Sequence, residues 1–119
     1  MPKEILVVDD QPGIRLLLTD ILTSEGYQVS LASTGKEAID KINKHTYDLI
    51  ILDYKLPIID GKEVLEILER DKKEISVILM SGMAETIKQE VEKIKMVRRI
   101  VAKPFNIKDF CAHVEEILL

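Results

Sequence analysis

Three aspartates, a serine and a lysine carry the chemistry this sequence can offer. Asp9 and Asp10 follow the apolar run Ile5–Val8, and Asp53 closes the apolar part of the stretch DLIILDYKLP at 48–57. Ser81 follows Ile75–Met80, and Lys103 follows Ile100–Ala102. Carboxylates brought together repel one another unless something neutralises them. A hard divalent cation answers that need, and Mg2+, or Mn2+ in its place, takes one or two carboxylates plus waters and phosphate oxygens. The lysine adds a positive charge and the serine a hydroxyl donor, so the set suits a transferring phosphoryl group. The chemistry reads as attack by the Asp53 carboxylate to form an acyl phosphate. The metal would draw charge off the phosphoryl oxygens while Lys103 and Ser81 hold the others. Taken singly, these residues are ordinary. An Asp-Asp pair can be a solvated turn, Ser81-Gly82 a turn, and Lys103-Pro104 a strand end.

What joins them is the order of elements. Leu49–Leu52 is too short for a buried helix and reads as a buried parallel strand, which Pro57 prevents from continuing. Ile5–Val8 is a first strand. Pro12 suits the first turn of a helix whose stripe is Ile14, Leu17, Leu18, Ile21 and Leu22, with Gly26 as its stop. Residues 27–32 alternate as a strand, and Thr34 and Glu37 have capping-box spacing ahead of Ala38, Ile39 and Ile42. Asp60-Gly61 is a turn before a helix carrying Val64, Leu65 and Leu68. Ile75–Met80 is the fourth strand, and 84–95 reads as a helix with Ile87, Val91 and Ile94 inward. Ile100–Ala102 is the fifth strand, and Asn106 caps a last helix burying Phe110, Val114, Ile117 and Leu118. Strand and helix alternate five times with short connections, which predicts one α/β domain over 1–119. It is a doubly wound (βα)5 fold with a parallel sheet and helices on both faces. In a parallel sheet every C-terminal strand end points the same way, so the five side chains share one crevice.

Bulk properties narrow the function. The chain has 119 residues and a net charge of −4, with no basic stripe to track phosphates, so no direct nucleic-acid binding is expected. The lone Cys111 rules out an internal disulfide and reads as packing on a helix. The opening MPKEILVV runs straight into a strand, so no signal peptide is expected, and no apolar run is long enough for a membrane helix. The expectation is a cytoplasmic, soluble protein that does not engage a membrane. His45 and His113 fall away from the strand ends and read as solvated surface.

With these residues in place, the chain resembles the bacterial response regulator receiver domains. The likeness covers nearly its whole length, in ILVVDDQ, DLIILDYKLP with the later DG, ILMSG and AKPF. It implies the flavodoxin-like receiver fold with strand order 2-1-3-4-5 and a histidine kinase or histidine phosphotransferase as phosphoryl donor. By that likeness Asp53 is the phosphoacceptor, Asp10 ligates Mg2+ directly, Asp9 acts through water, and the Lys55 backbone carbonyl supplies a further ligand. Ser81 and Lys103 match the positions that contact the phosphoryl group, and the Lys103–Pro104 peptide is expected to be cis. A narrower likeness, carried by DDQPGIRLLL, Lys55 and KPFNI, is to single-domain regulators of a sporulation phosphorelay. These are phosphotransferase-type proteins that pass the group on to a histidine phosphotransferase. The chain ends on its last helix, so a receiver without an output domain is the expectation; a receiver belonging to a longer regulator is the alternative. Three positions depart from the pattern: Ile100 where an aromatic residue is usual, KMVRRI where Gly-Ala is frequent, and Met83 two past Ser81. Ile100 argues against an aromatic-rotamer switch coupled to Ser81.

Gln11, Pro12, Gly13, Ile14 and Leu17 begin helix one beside the aspartates. An exposed Leu16 or Leu17 there would offer an apolar docking patch, whereas buried leucines would be plain core. Arg15 and Lys55 would steer the encounter. Two other classes compete. A receiver-like module that binds without being phosphorylated would lack Asp53 or Lys103. A flavin carrier would need a Ser/Thr/Gly-rich loop after strand one, and an aspartate-nucleophile phosphatase a second Asp two residues past the first. Here Asp53 is followed by Tyr54-Lys55.

Overall fold

Strands buried on both faces build the centre of the sheet. In the computed structural model, which describes residues 2–119, β1 (Glu4–Val8) sends Ile5 and Val7 to one face and Leu6 and Val8 to the other, all buried. Neighbouring strand residues must point to opposite faces, so a strand apolar at every position is stable only between two layers. The remaining elements supply them: α1 (Pro12–Ser24), β2 (Gln28–Ala32), α2 (Gly35–Lys44), β3 (Leu49–Asp53), α3 (Gly61–Arg70), β4 (Ser76–Ser81), α4 (Ala84–Val91), β5 (Val97–Ala102) and α5 (Ile107–Leu118). The five strands are parallel in the order β2-β1-β3-β4-β5. On one face α1 and α5 pack Leu18, Leu22, Phe110 and Val114 against Ile5, Val7, Ile51 and Ile78. On the other, α2, α3 and α4 pack Ala38, Ile42, Leu65, Leu68, Ile87 and Val91 against Leu6, Ile50 and Leu79. The doubly wound architecture and strand order expected from the sequence are those observed.

Caps fall where the side chains direct them. Thr34 Oγ1 accepts from the Glu37 amide, Asp60 Oδ1 from Glu63 and Asn106 Oδ1 from Asp109. Asp60 is therefore the N-cap of α3 rather than only part of a turn. Glu37 reaches past its cap to the Ser33 amide at 2.7 Å, and that bond holds its carboxyl below the usual glutamate range.

Three local expectations are corrected. Helix α4 ends at Val91, not at 95: Glu92 is its C-cap, and the chain turns through Ile94, whose side chain still packs on the core. Strand β5 begins at Val97, three residues earlier than its apolar run suggests. The cause is a register shift in which Val77 pairs with Val97 but Ile78 pairs with Arg99. Arg98 is the extra residue of a bulge, which breaks the alternation and puts two arginines side by side on an edge strand. Leu17 is 37% exposed and Leu16 64%, so the buried stripe of α1 rests on Leu18 and Leu22 with Ile14 and Ile21 at its margins.

Candidate functional site

Asp53 is the last residue of β3 and Ser81 the last of β4, while Asp9 and Lys103 stand one past β1 and β5. Parallel pairing through Val8–Leu52 and Asp53–Met80 brings these ends level. Carboxylate oxygens of Asp9, Asp10 and Asp53 lie within 4.8 Å of one another. Lys103 Nζ stands 2.8 Å from Asp9 Oδ2 and 3.3 Å from Asp53 Oδ2. The fifth member, Ser81, lines the cleft beside Asp53 together with Tyr54, Lys55, Asp60, Gly82 and Met83. All five side chains expected at the strand ends meet in this crevice.

Their environments differ in a way that separates their capacities. Asp9 is buried and both its oxygens are engaged, Oδ1 by the Gln11 amide at 2.9 Å and Oδ2 by Lys103. Asp10 is exposed on the cleft with Gln11, Lys55 and Lys103, which leaves its carboxylate free to meet a cation directly. Burial pushes the Asp53 carboxyl above the usual aspartate range, and the Asp9 charge adds to this against the pull of Lys103 and the Lys55 backbone amide. Burial draws Lys103 down, but its hydrogen bond to Asp9 and the charge of Asp53 outweigh that and leave it raised. It is a fixed cation. Ser81 Oγ accepts from the Met83 amide at 2.9 Å, so its proton remains for a second partner. The Lys103–Pro104 peptide is cis, and the Lys103 amide donates to the Ser81 carbonyl. An all-oxygen set with excess negative charge fits a hard divalent cation.

Several supporting residues were not legible as such. Gly61 opens α3 against the end of β3, where a Cβ would lie 2.5 Å from the Asp53 carbonyl oxygen, so only glycine allows that approach. Arg15, read as a steering charge, instead donates to the Asp9 carbonyl at 2.8 Å and fixes the β1–α1 turn. Tyr54 donates its hydroxyl to Glu90 of α4 at 2.9 Å; burial and that carboxylate push its pKa up to about 12. No motif signals the Tyr54 contact, because its partner is chosen by the packing of α4. Ile100 is half-buried and packs on the core beneath α2–α4, as an aliphatic side chain should. His45 is half-exposed and pairs with Glu4 at 2.9 Å, far from the aspartates.

A parallel α/β sheet with an acidic crevice closed by a lysine is an arrangement suited to phosphoryl chemistry. The response regulator receiver domain model matches residues 5–115, and the chain belongs to that family. It is 38% identical over 119 residues to sporulation initiation phosphotransferase F of Bacillus subtilis, covering 99% of this chain and 95% of that protein. It is 36% identical to the alkaline phosphatase synthesis transcriptional regulatory protein PhoP of the same organism, where it spans 49% of the length. Among solved structures, the response regulator TrrA of Thermotoga maritima, in complex with Mg2+ and BeF, aligns with a TM-score of 0.87 at 36% identity over 98% of this chain and 99% of that one. The protein is a response regulator receiver of two-component signalling. No helix among the described residues is long and apolar enough to cross a membrane.

Proposed function

We propose that this receiver takes a phosphoryl group from a phosphohistidine on Asp53 and passes it on to a histidine phosphotransferase, as a relay intermediate. The observation that carries this is the meeting of Asp9, Asp10 and Asp53 within 4.8 Å with Lys103 bridging Asp9 and Asp53. In the forward step an Asp53 carboxylate oxygen attacks phosphorus, the P–O bond forms, the P–N bond to the donor imidazole breaks, and that nitrogen keeps the electron pair. Asp10 and Asp53, with Asp9 through water and the Lys55 carbonyl, would hold Mg2+, which when bound supplies charge neutralisation to the phosphoryl oxygens. Lys103 is near enough to leave Asp53 Oδ2 for a phosphoryl oxygen, and Ser81 donates its hydroxyl to another. The Mg2+ of the Thermotoga relative supports that ion.

Likeness to a sporulation phosphotransferase over nearly its full length supports the relay role and a sporulation-type pathway, with a histidine kinase as donor and the cytoplasm as this receiver's location. The α1 rim of Gln11, Gly13 and Ile14, with Leu16 and Leu17 exposed, suits docking of a helical partner beside the crevice. PhoP, half of which the chain spans, supports a second reading, a receiver that governs an attached output rather than relaying. Mixing the phosphorylated chain with a sporulation-type histidine phosphotransferase separates them. Label moving to the histidine, and back when the donor is reversed, is the relay result; hydrolysis without transfer rejects it.

A further inference from the structure

At the opposite end of the sheet from Asp53, the starts of β4 and β5 and the exits of α3 and α4 enclose an open cleft of about 600 Å³. Five cations line it, Lys72, Lys73, Lys93, Lys95 and Arg98, against two carboxylates, Glu69 and Glu74. That leaves three net positive charges in one cleft of a chain whose total is −4, so the rest of the molecule carries −7. Among the described residues, none of the five cations stands within 4.0 Å of a carboxylate, although two carboxylates share the cleft. Arg98 makes only a long 3.4 Å contact to Ser76 Oγ. The helix ends explain part of this, since the C-termini of α3 and α4 together present about one negative charge. The remaining excess has no counterpart in the fold.

We propose that this cleft docks an acidic peptide segment of a partner protein. Ile75 and Met96, both half-buried, form an apolar floor between the cations, which suits a segment whose acidic residues flank an apolar one. Glu69 and Glu74 interrupt the positive surface and no aromatic side chain lines it, which disfavours a nucleic-acid strand. Ser76 and Ser81 are the two ends of β4, about 17 Å apart at the rise of a strand, so a segment bound here leaves Asp53 open. Charge complementarity of this kind raises the rate and selectivity of encounter.

The test is a titration of the isotopically labelled protein, at physiological salt, with a short glutamate peptide interrupted by leucine. Amide shifts confined to residues 72–76 and 93–98, and weakened about tenfold by Lys73→Glu with Lys95→Glu, are the expected result. Phosphorylation of both proteins by acetyl phosphate should be equal, which keeps this site independent of the crevice. Shifts spread over distant lysines such as Lys36 and Lys62, or none at all, overturn the proposal. So does tighter occupation of the cleft by a single-stranded oligonucleotide, or an equal response to inorganic phosphate, which would make it a nucleic-acid or small-anion site.

Discussion

Lys103 Nζ lies 3.3 Å from Asp53 Oδ2 while the same amine lies 2.8 Å from Asp9 Oδ2. One cation thus restrains two buried carboxylates that would otherwise repel. The arrangement makes the lysine a shared counter-ion of both carboxylates.

Removing that amine should cost the metal-free fold more than the metal-loaded one. Lys103→Ala leaves Asp9 and Asp53 facing each other, a loss of about 1.5–3 kcal/mol by the usual worth of charged hydrogen bonds. Urea unfolding in chelator and then in Mg2+ should show the deficit shrinking with metal. An identical deficit in both would mean the lysine does not offset the carboxylates.

Asp53 sets a pH dependence of the metal-free protein. Its folded pKa is raised, chiefly by burial, so the folded state holds the proton more tightly than the unfolded chain. Stability from this group is complete below the ordinary aspartate range and is lost as pH rises through the folded value. Asn at this position cannot ionise and escapes that loss. Metal-free Asp53→Asn should therefore unfold at higher urea than the parent at pH 7, with the gap closing toward pH 4. A gap that widens toward acid would reverse the sign.

Gly61→Ala places a methyl 2.5 Å from the Asp53 backbone carbonyl oxygen, and a Cβ has no rotamer by which to swing aside. Strain of about 1–3 kcal/mol is expected. Phosphorylation should slow as well, since relief requires the end of β3 to shift. A variant as stable and as fast as the parent would show that the contact is slack.

Ile58 sits in the β3–α3 loop with φ at +70° and its side chain 80% exposed. A β-branched residue is disfavoured in that region, whereas Asn visits it readily. Ile58→Asn should stabilise the fold by about 1 kcal/mol, read as a higher urea midpoint at unchanged slope. Destabilisation would mean that Ile58 makes apolar contacts outweighing the strain.

The sequence and the structure agree most where one physical rule acts alone. The run at 49–53 could be nothing but a strand buried on both faces, and the ladder of strand ends followed from it. Thr34 and Asn106 announced their helices because a side-chain cap is a local matter. Legibility failed where a distant partner decides. Arg98 disguised the start of β5 because the bulge depends on Ile78 opposite, and the early end of α4 is set by the reversal into β5. Leu17 shares the helical period of Leu18 and Leu22 yet lies near the rim, because no element covers that edge of α1. Arg15 and Tyr54 carry no motif, and their roles at Asp9 and Glu90 exist only once the chain is folded.

The central claim is that Asp53 accepts the phosphoryl group in a metal-dependent reaction. Its most direct test is intact-mass measurement after exposure to acetyl phosphate, with Mg2+ or with chelator, for the parent chain and Asp53→Asn. One added phosphoryl group on the parent chain, present only with Mg2+ and absent from Asp53→Asn, is the predicted result. An equal adduct on the variant, or one formed as readily in chelator, would contradict it.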